Sequence, residues 1–139
     1  MIAPANKWVD ALVVGGGIAG LQSALDLADQ GHQVLVVERD ASIGGRMIAL
    51  SKVFPTLDCA SCITTPKMSA AARHPNITLL PNTEVTHIDP AADGLPARVT
   101  LRRNPRYVDT DKCIGCSVCE YACPVEMPDK FEHDLVDPA

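Results

Sequence analysis

The sequence has no apolar run near the roughly 20 residues that cross a bilayer as a helix, so no direct membrane span is expected. It has no excess of positive charge: 12 Lys and Arg face 17 Asp and Glu, for a net charge of −5. That balance argues against nucleic acid or an anionic membrane surface as a partner. No secretory leader is expected, because one Lys precedes Trp8 and the apolar stretch after it breaks at Gly15. The expected location is cytoplasmic, free or on a membrane through a partner. No Ser/His/Asp or Cys/His arrangement and no prominent carboxylate pair suggests a catalytic side chain. His32, His74, His87 and His133 are scattered, none at metal spacing from another. There is no internal repeat and no low-complexity tract.

What is present fits one modest globular domain with a real core: 139 residues, 47% apolar and 21% charged. Six cysteines without a leader point to reduced thiols and metal binding rather than disulfides. Four of them fall in Cys113-Ile114-Gly115-Cys116-Ser117-Val118-Cys119-Glu120-Tyr121-Ala122-Cys123-Pro124. This C-x2-C-x2-C-x3-C-P spacing is the run that holds a cubane [4Fe–4S] cluster. Thiolates are soft, charged ligands suited to it. Gly115 fits the tight turn that wraps backbone round the cluster, and Pro124 fixes the exit of the last ligand. The rival, a structural zinc site, is usually built from separated C-x2-C pairs.

The N-terminal part predicts a nucleotide-binding unit. Val9–Val14 reads as a buried parallel strand, with Asp10 near its start. Gly15-Gly16-Gly17-Ile18-Ala19-Gly20 follows as G-x-G-x-x-G. Leu21, Ala24, Leu25 and Ala28 then recur at helical spacing, with Gly31 where a C-cap falls. Gln33–Val37 is a second apolar run, ending in Glu38. Strand, glycine turn, helix, strand and acid are the context the dinucleotide fingerprint requires. Gly15 permits the turn, Gly17 lets a diphosphate approach, and Gly20 lets the helix pack close. The diphosphate meets the helix N-terminus at Ile18 and Ala19, and Glu38 can accept hydrogen bonds from ribose hydroxyls. Arg39 follows the acid. The continuation to Gly44-Gly45-Arg46 makes E-x5-G-G. This resembles the second glycine pair of flavoproteins with two dinucleotide-binding domains, which favours FAD over NAD. Arg46 is either a positive charge near the diphosphate or a solvated surface residue.

Phe54–Met68 is rich in turn residues, so mostly loop is expected, with a short helix near Met68–Arg73. Within it, Cys59-x2-Cys62 is a pair of buried thiols, a redox dithiol, or a source of cluster ligands. Asn76–Leu80 and Thr83–Ile88 read as strands around Pro81-Asn82. Asp93-Gly94 is a turn signal, and Arg98–Arg102 alternates as a strand. Glu126–Ala139 reads as an acidic linker or docking tail. The fold class expected is α/β: an incomplete Rossmann-like FAD-binding parallel sheet, small antiparallel strands and a ferredoxin-like segment. The boundaries expected are 1–108 for the flavin part, 109–126 for the iron–sulfur segment and 127–139 for the tail. In two-cluster ferredoxins the fourth cysteine of such a run ligates the other cluster. Cys113, Cys116 and Cys119 would then hold one cube and Cys123 a second, with Cys59, Cys62 or another chain completing the set. One cluster held by the run alone is the other arithmetic.

Several blocks together resemble a family. They are Gly15–Gly20, Phe54-Pro55-Thr56-Leu57-Asp58-Cys59 with Cys62, Pro66-Lys67-Met68, Arg73-His74-Pro75-Asn76, and Pro105-Arg106-Tyr107-Val108-Asp109 before the cysteine run. They resemble the flavoprotein (A) component of heterodisulfide reductase and its relatives, including the corresponding flavoprotein of the quinone-interacting membrane-bound oxidoreductase complex. The resemblance implies FAD, cubane clusters and an oxidoreductase working inside an electron-transfer complex with other subunits. Long family members carry an extra N-terminal domain and continue past the cysteine run into the second half of the flavin domain. This chain therefore resembles the first part of that domain, as a split subunit or a fragment, with another chain supplying the rest. The function implied is electron transfer between FAD and cluster and on to partner subunits. The alternative is a non-catalytic, cluster-bearing scaffold that needs a partner to complete the FAD site.

Overall fold

The computed structural model describes residues 6–92, 96–109 and 111–125. The chain divides into two compact units, Met1–Pro105 and Arg106–Ala139. In the first, β1 (Ala11–Val14) leads through the glycine turn into α1 (Ile18–Asp29) and then β2 (Val34–Val37). All four residues of β2 are buried, which explains why they form an unbroken aliphatic run: a central parallel strand is covered on both faces. A 3₁₀ turn (Gly45–Ala49), β3 (Lys52–Val53), β4 (Asp58–Cys59) and α2 (Ala60–Arg73) precede β5 (Ile77–Leu80). β5 returns to the same sheet, whose order is β1-β2-β5 and whose strands are all parallel. The expected α/β parallel sheet is borne out.

The core forms because α1 presents small side chains to the sheet. Ala24 and Ala28 pack with Val34 and Val36, and Ala11, Val13, Leu27, Ile77 and Leu79 close round them. The helix stops in a Schellman arrangement: Gly31, at φ +94°, donates to Ala28 O (3.0 Å), and His32 donates to Leu27 O (3.2 Å). At the other end, a Cβ on Gly20 would lie 2.0 Å from the Gly15 carbonyl oxygen. The helix thus sits on the strand end at a distance only glycine allows.

β6 (Thr83–Asp89) and β7 (Arg98–Arg103) form a separate antiparallel pair, with a bulge between Val85 and His87. Val99 and Leu101 are half-buried and Arg98, Thr100 and Arg102 exposed, as the alternation predicts. The Asp93-Gly94 turn signal and the Glu126–Ala139 tail, with His133, lie outside the described residues. In the second unit, α3 (Val118–Tyr121) is a single turn within the cysteine run.

The stretch from Phe54 to Met68 corrects an expectation. It is not mostly loop: β3 and β4 pair antiparallel, and α2 starts at Ala60 and runs through Pro66. Proline removes one helical donor and crowds the preceding turn, which made the segment read as irregular. Burial of Ala60, Thr64 and Ala71 compensates, as α2 packs against α1, β5 and the 3₁₀ turn. The Thr64 hydroxyl also donates to Ala60 O at 2.9 Å.

Gly20→Ala tests the close approach. Alanine favours a helix interior over glycine by about 1 kcal/mol. A methyl forced against fixed backbone at 2.0 Å costs about 1–3 kcal/mol, so net destabilisation is expected. A lower urea midpoint checks it; an unchanged or raised midpoint contradicts the geometry.

Candidate dinucleotide site and cysteine run

β1 ends at Val14 and the backbone turns at Gly15, whose φ of +104° strains any L side chain. The Gly15 N–H donates to Val37 O at 2.8 Å, tying the turn to the tip of β2. Gly17 caps α1 with φ −74° and ψ −179°, and no side chain supplies a cap hydrogen bond. The first N–H of the helix with a backbone acceptor is that of Leu21, on Gly17 O at 2.9 Å. The N–H groups of Ile18, Ala19 and Gly20 belong to the first turn, which has no intrahelical acceptor. A Cβ built on Gly17 meets nothing within 4 Å. The result is an open helix N-terminus beside bare backbone, the environment that suits a diphosphate.

The second glycine pair is stitched onto the first. Gly44 donates to Gly16 O at 2.7 Å, and Gly17 and Gly44 form a parallel bridge. Gly44 (φ +114°) and Gly45 (φ +60°) both lie at positive φ. A Cβ on Gly45 would come within 3.0 Å of Gly17 Cα. The E-x5-G-G spacing therefore brings its loop alongside the G-x-G-x-x-G turn.

Glu38 joins these pieces. Its side chain is buried, with Oε2 accepting from Gly16 N–H (2.6 Å) and Oε1 from Asp40 N–H (2.9 Å). Each carboxylate oxygen can accept a further bond, so it is held in place with capacity left for ligand hydroxyls. Its backbone accepts from Thr83 N–H (2.8 Å) and donates to Leu80 O (3.0 Å). The Thr83 bond draws the start of β6 against the tip of β2, and the Leu80 bond ties that tip to the end of β5. A cavity of about 610 Å³ follows, lined by Val14, Gly15, Val37, Glu38, Arg39, Asp40, Gly45, Arg46, Thr83, Glu84 and Val85.

Of the residues predicted for a cofactor, Gly15, Glu38, Arg39, Gly45 and Arg46 line this cavity. Gly17, Ile18, Ala19, Gly20 and Gly44 lie at the adjoining helix N-terminus and glycine bridge. Arg39 is exposed and 3.8 Å from Asp40. Thr83, Glu84 and Val85 were not predicted; the Pro81-Asn82 turn before them carries no sign that they reach Glu38. Arg102 donates to Glu84 at 2.7 Å and, with Asn104, holds that carboxyl below its usual range.

The cysteines divide into two groups. Cys59 and Cys62 are both exposed, which removes the buried-thiol reading. Cys59 caps α2, its Sγ accepting from Cys62 N–H at 3.3 Å. A thiol–thiol hydrogen bond with Cys62, then backbone N–H bonds, hold the Cys59 thiol below its ordinary range. The same pairing with Cys59, and then desolvation, push Cys62 up. In the second unit Cys113, Cys116, Cys119 and Cys123 are exposed. Gly115 (φ +68°) and Ser117 (φ +58°) supply two left-handed turns between them. Cys113 and Lys112 donate to Asp109 O at 3.0 and 3.2 Å. Among the described residues, no group of three or more His, Cys, Asp or Glu side chains converges as a metal site. The fit to a cluster rests on the donor set: four thiolates at cubane spacing in turns that permit wrapping.

The described residues thus combine a flavin-type dinucleotide fold with a ferredoxin-type cysteine segment, and known proteins agree. Residues 10–53 match the family of FAD dependent oxidoreductases, and residues 106–129 match the 4Fe-4S binding domain. Over 124 residues the chain is 54% identical to the A component of the H(2)/formate:CoB-CoM heterodisulfide,ferredoxin reductase of Methanococcus maripaludis, covering 89% of this chain and 18% of that protein. It is 49% identical to the iron-sulfur A component of the CoB–CoM heterodisulfide reductase of Methanocaldococcus jannaschii, covering 89% of this chain and 19% of that one. A crystal structure of L-proline dehydrogenase from P. horikoshii superposes with a TM-score of 0.58 at 23% identity, over 68% of this chain and 19% of that one; it supports the fold. Over 89% of its length the chain is therefore similar to heterodisulfide reductase A components, with one segment matching FAD dependent oxidoreductases and one matching the 4Fe-4S binding domain. It spans 18–19% of the length of these curated relatives. Among the described residues, no helix is long and apolar enough to cross a membrane.

The thiolate is the reactive form of cysteine, so the opposite shifts at Cys59 and Cys62 predict an order of reaction. In reduced, iron-free protein, iodoacetamide is expected to modify Cys59 at lower pH than Cys62, as read by peptide mass spectrometry. Modification of Cys62 first contradicts the arrangement.

Proposed function

We propose that this chain is part of an electron-transfer subunit of a heterodisulfide reductase-like complex, holding FAD and a [4Fe–4S] cluster and passing electrons to partner subunits. The observation that carries the reading is the pair of glycine turns bridged through Gly44 N–H and Gly16 O, beside the open N-terminus of α1. Bare backbone at Gly17 and the buried carboxylate of Glu38 suit a dinucleotide with free ribose hydroxyls. When bound, the flavin supplies two-electron chemistry and the cluster one-electron steps.

The chain's own residues bind and orient. Gly15, Gly17, Ile18, Ala19 and Gly20 offer backbone to the diphosphate. Glu38 accepts from ribose, with Arg39 beside it. Gly44, Gly45 and Arg46 flank the path toward the flavin, and Arg46 adds positive charge. Cys113, Cys116, Cys119 and Cys123 are the thiolates of a cluster, and Cys59 and Cys62 are two more thiolates for iron–sulfur ligation. The proposed limits are 1–108 for the flavin part, 109–126 for the iron–sulfur segment and 127–139 for a linker. β1 has a strand on one side only in the described sheet. That open edge supports completion of the flavin domain by further polypeptide, in the cytoplasm, where six thiols stay reduced. It also favours a second reading, a cluster-bearing scaffold whose FAD site is finished by a partner.

Anaerobic reconstitution with FAD, iron and sulfide tests these readings. Electron transfer predicts flavin absorbance that survives gel filtration and a cluster signal that dithionite reduces. Flavin lost on the column with the cluster kept selects the scaffold. Colourless protein with stoichiometric zinc contradicts both.

A further inference from the structure

We propose that Met68, on α2, is a positioning residue for the diphosphate of the dinucleotide; the inference rests on the FAD reading above. Gly44 is buried and held at φ +114°. On one side its N–H is bonded to Gly16 O, and its strand-like bridge is to Gly17. On the other, the space a side chain would need is filled. A Cβ there would lie 2.6 Å from Ile48 Cγ2 and 3.1 Å from Met68 Sδ. Ile48 belongs to the same loop, in the 3₁₀ turn that follows Gly44. Met68 comes from a different element, α2, and backs the loop from the side opposite the Gly16-Gly17 backbone.

α2 is itself anchored. It packs on α1 and on the 3₁₀ turn, and Lys67 Nζ donates to Gln22 Oε1 of α1. The helix that presents the open N–H groups and the helix that carries Met68 are therefore fixed to each other. Met68 sets how far the Gly44-Gly45 peptides stand from Gly16-Gly17. An unbranched thioether suits this task because it fills an irregular gap against backbone without a polar demand. No ligand contact is required of Met68; it acts through Gly44. Support of this kind decides whether a site is held tightly or is about 1 Å too loose.

The test is equilibrium binding of FAD and of adenosine, which carries the ribose that Glu38 reads but no phosphate, to the full chain and its variants. Met68→Ala is expected to weaken FAD binding by about tenfold or more and to leave adenosine binding unchanged. Met68→Leu, of similar volume, is expected to keep FAD affinity close to wild type. Should the alanine variant fail to fold, Met68→Gln carries the same expectation, since it places amide atoms against Gly44. FAD affinity unchanged in Met68→Ala overturns the inference alone. Equal loss of FAD and adenosine overturns it too, because that is what general loosening of the fold produces. Wild-type chain that binds neither ligand overturns the FAD reading and this inference with it.

Discussion

No side chain fits between Gly20 and the Gly15 carbonyl, where a Cβ would stand 2.0 Å from the oxygen. That contact lets the first turn of α1 reach the end of β1, and everything proposed for the dinucleotide depends on it. A helix N-terminus carries partial positive charge only over its first turn, so it must sit where the strands end. The glycines at 15, 17 and 20 do three different jobs: one turns the chain, one leaves space, one permits contact. The second pair, at 44 and 45, closes against the first through backbone alone. A seat built from main-chain groups is rigid and offers donors without charged side chains, which suits a diphosphate.

The cysteine run follows a different logic. Its four thiols are exposed, and α3 is one turn long. Among its described residues none is buried, so little apolar packing organises them. Its information is in spacing and in turns at Gly115 and Ser117 that lie at positive φ. Metal binding of this kind doubles as folding energy. The two units thus represent two ways of coding a cofactor site: one through a packed sheet and helix, the other through ligand order.

This contrast explains what was legible in the sequence. The aliphatic run at Val34–Val37, the G-x-G-x-x-G turn and Glu38 were readable because each has a local cause: burial on both faces, backbone conformation, strand-tip chemistry. The Schellman end at Gly31 was readable for the same reason. The helix through Pro66 was not, because tertiary burial of Ala60, Thr64 and Ala71 overrides a local penalty. Nor was the wall at Thr83–Val85, which is held beside the cavity by the Thr83 N–H bond to the Glu38 carbonyl. Glu38 itself was placed correctly in the chain, but its bonds to Gly16 and Asp40 N–H emerge only in three dimensions. The exposure of Cys59 and Cys62 likewise needed the position of α2, since C-x2-C fits a buried pair as well as a surface one.

The measurement that bears most directly on the central claim is FAD titration of Gly17→Val beside its thermal unfolding. Gly17 has backbone angles open to a branched residue, and a Cβ there meets nothing within 4 Å. The account predicts an unfolding temperature near that of the wild type without ligand, together with loss of FAD binding, because the side chain occupies the diphosphate's space. FAD binding by the valine variant equal to wild type would contradict it.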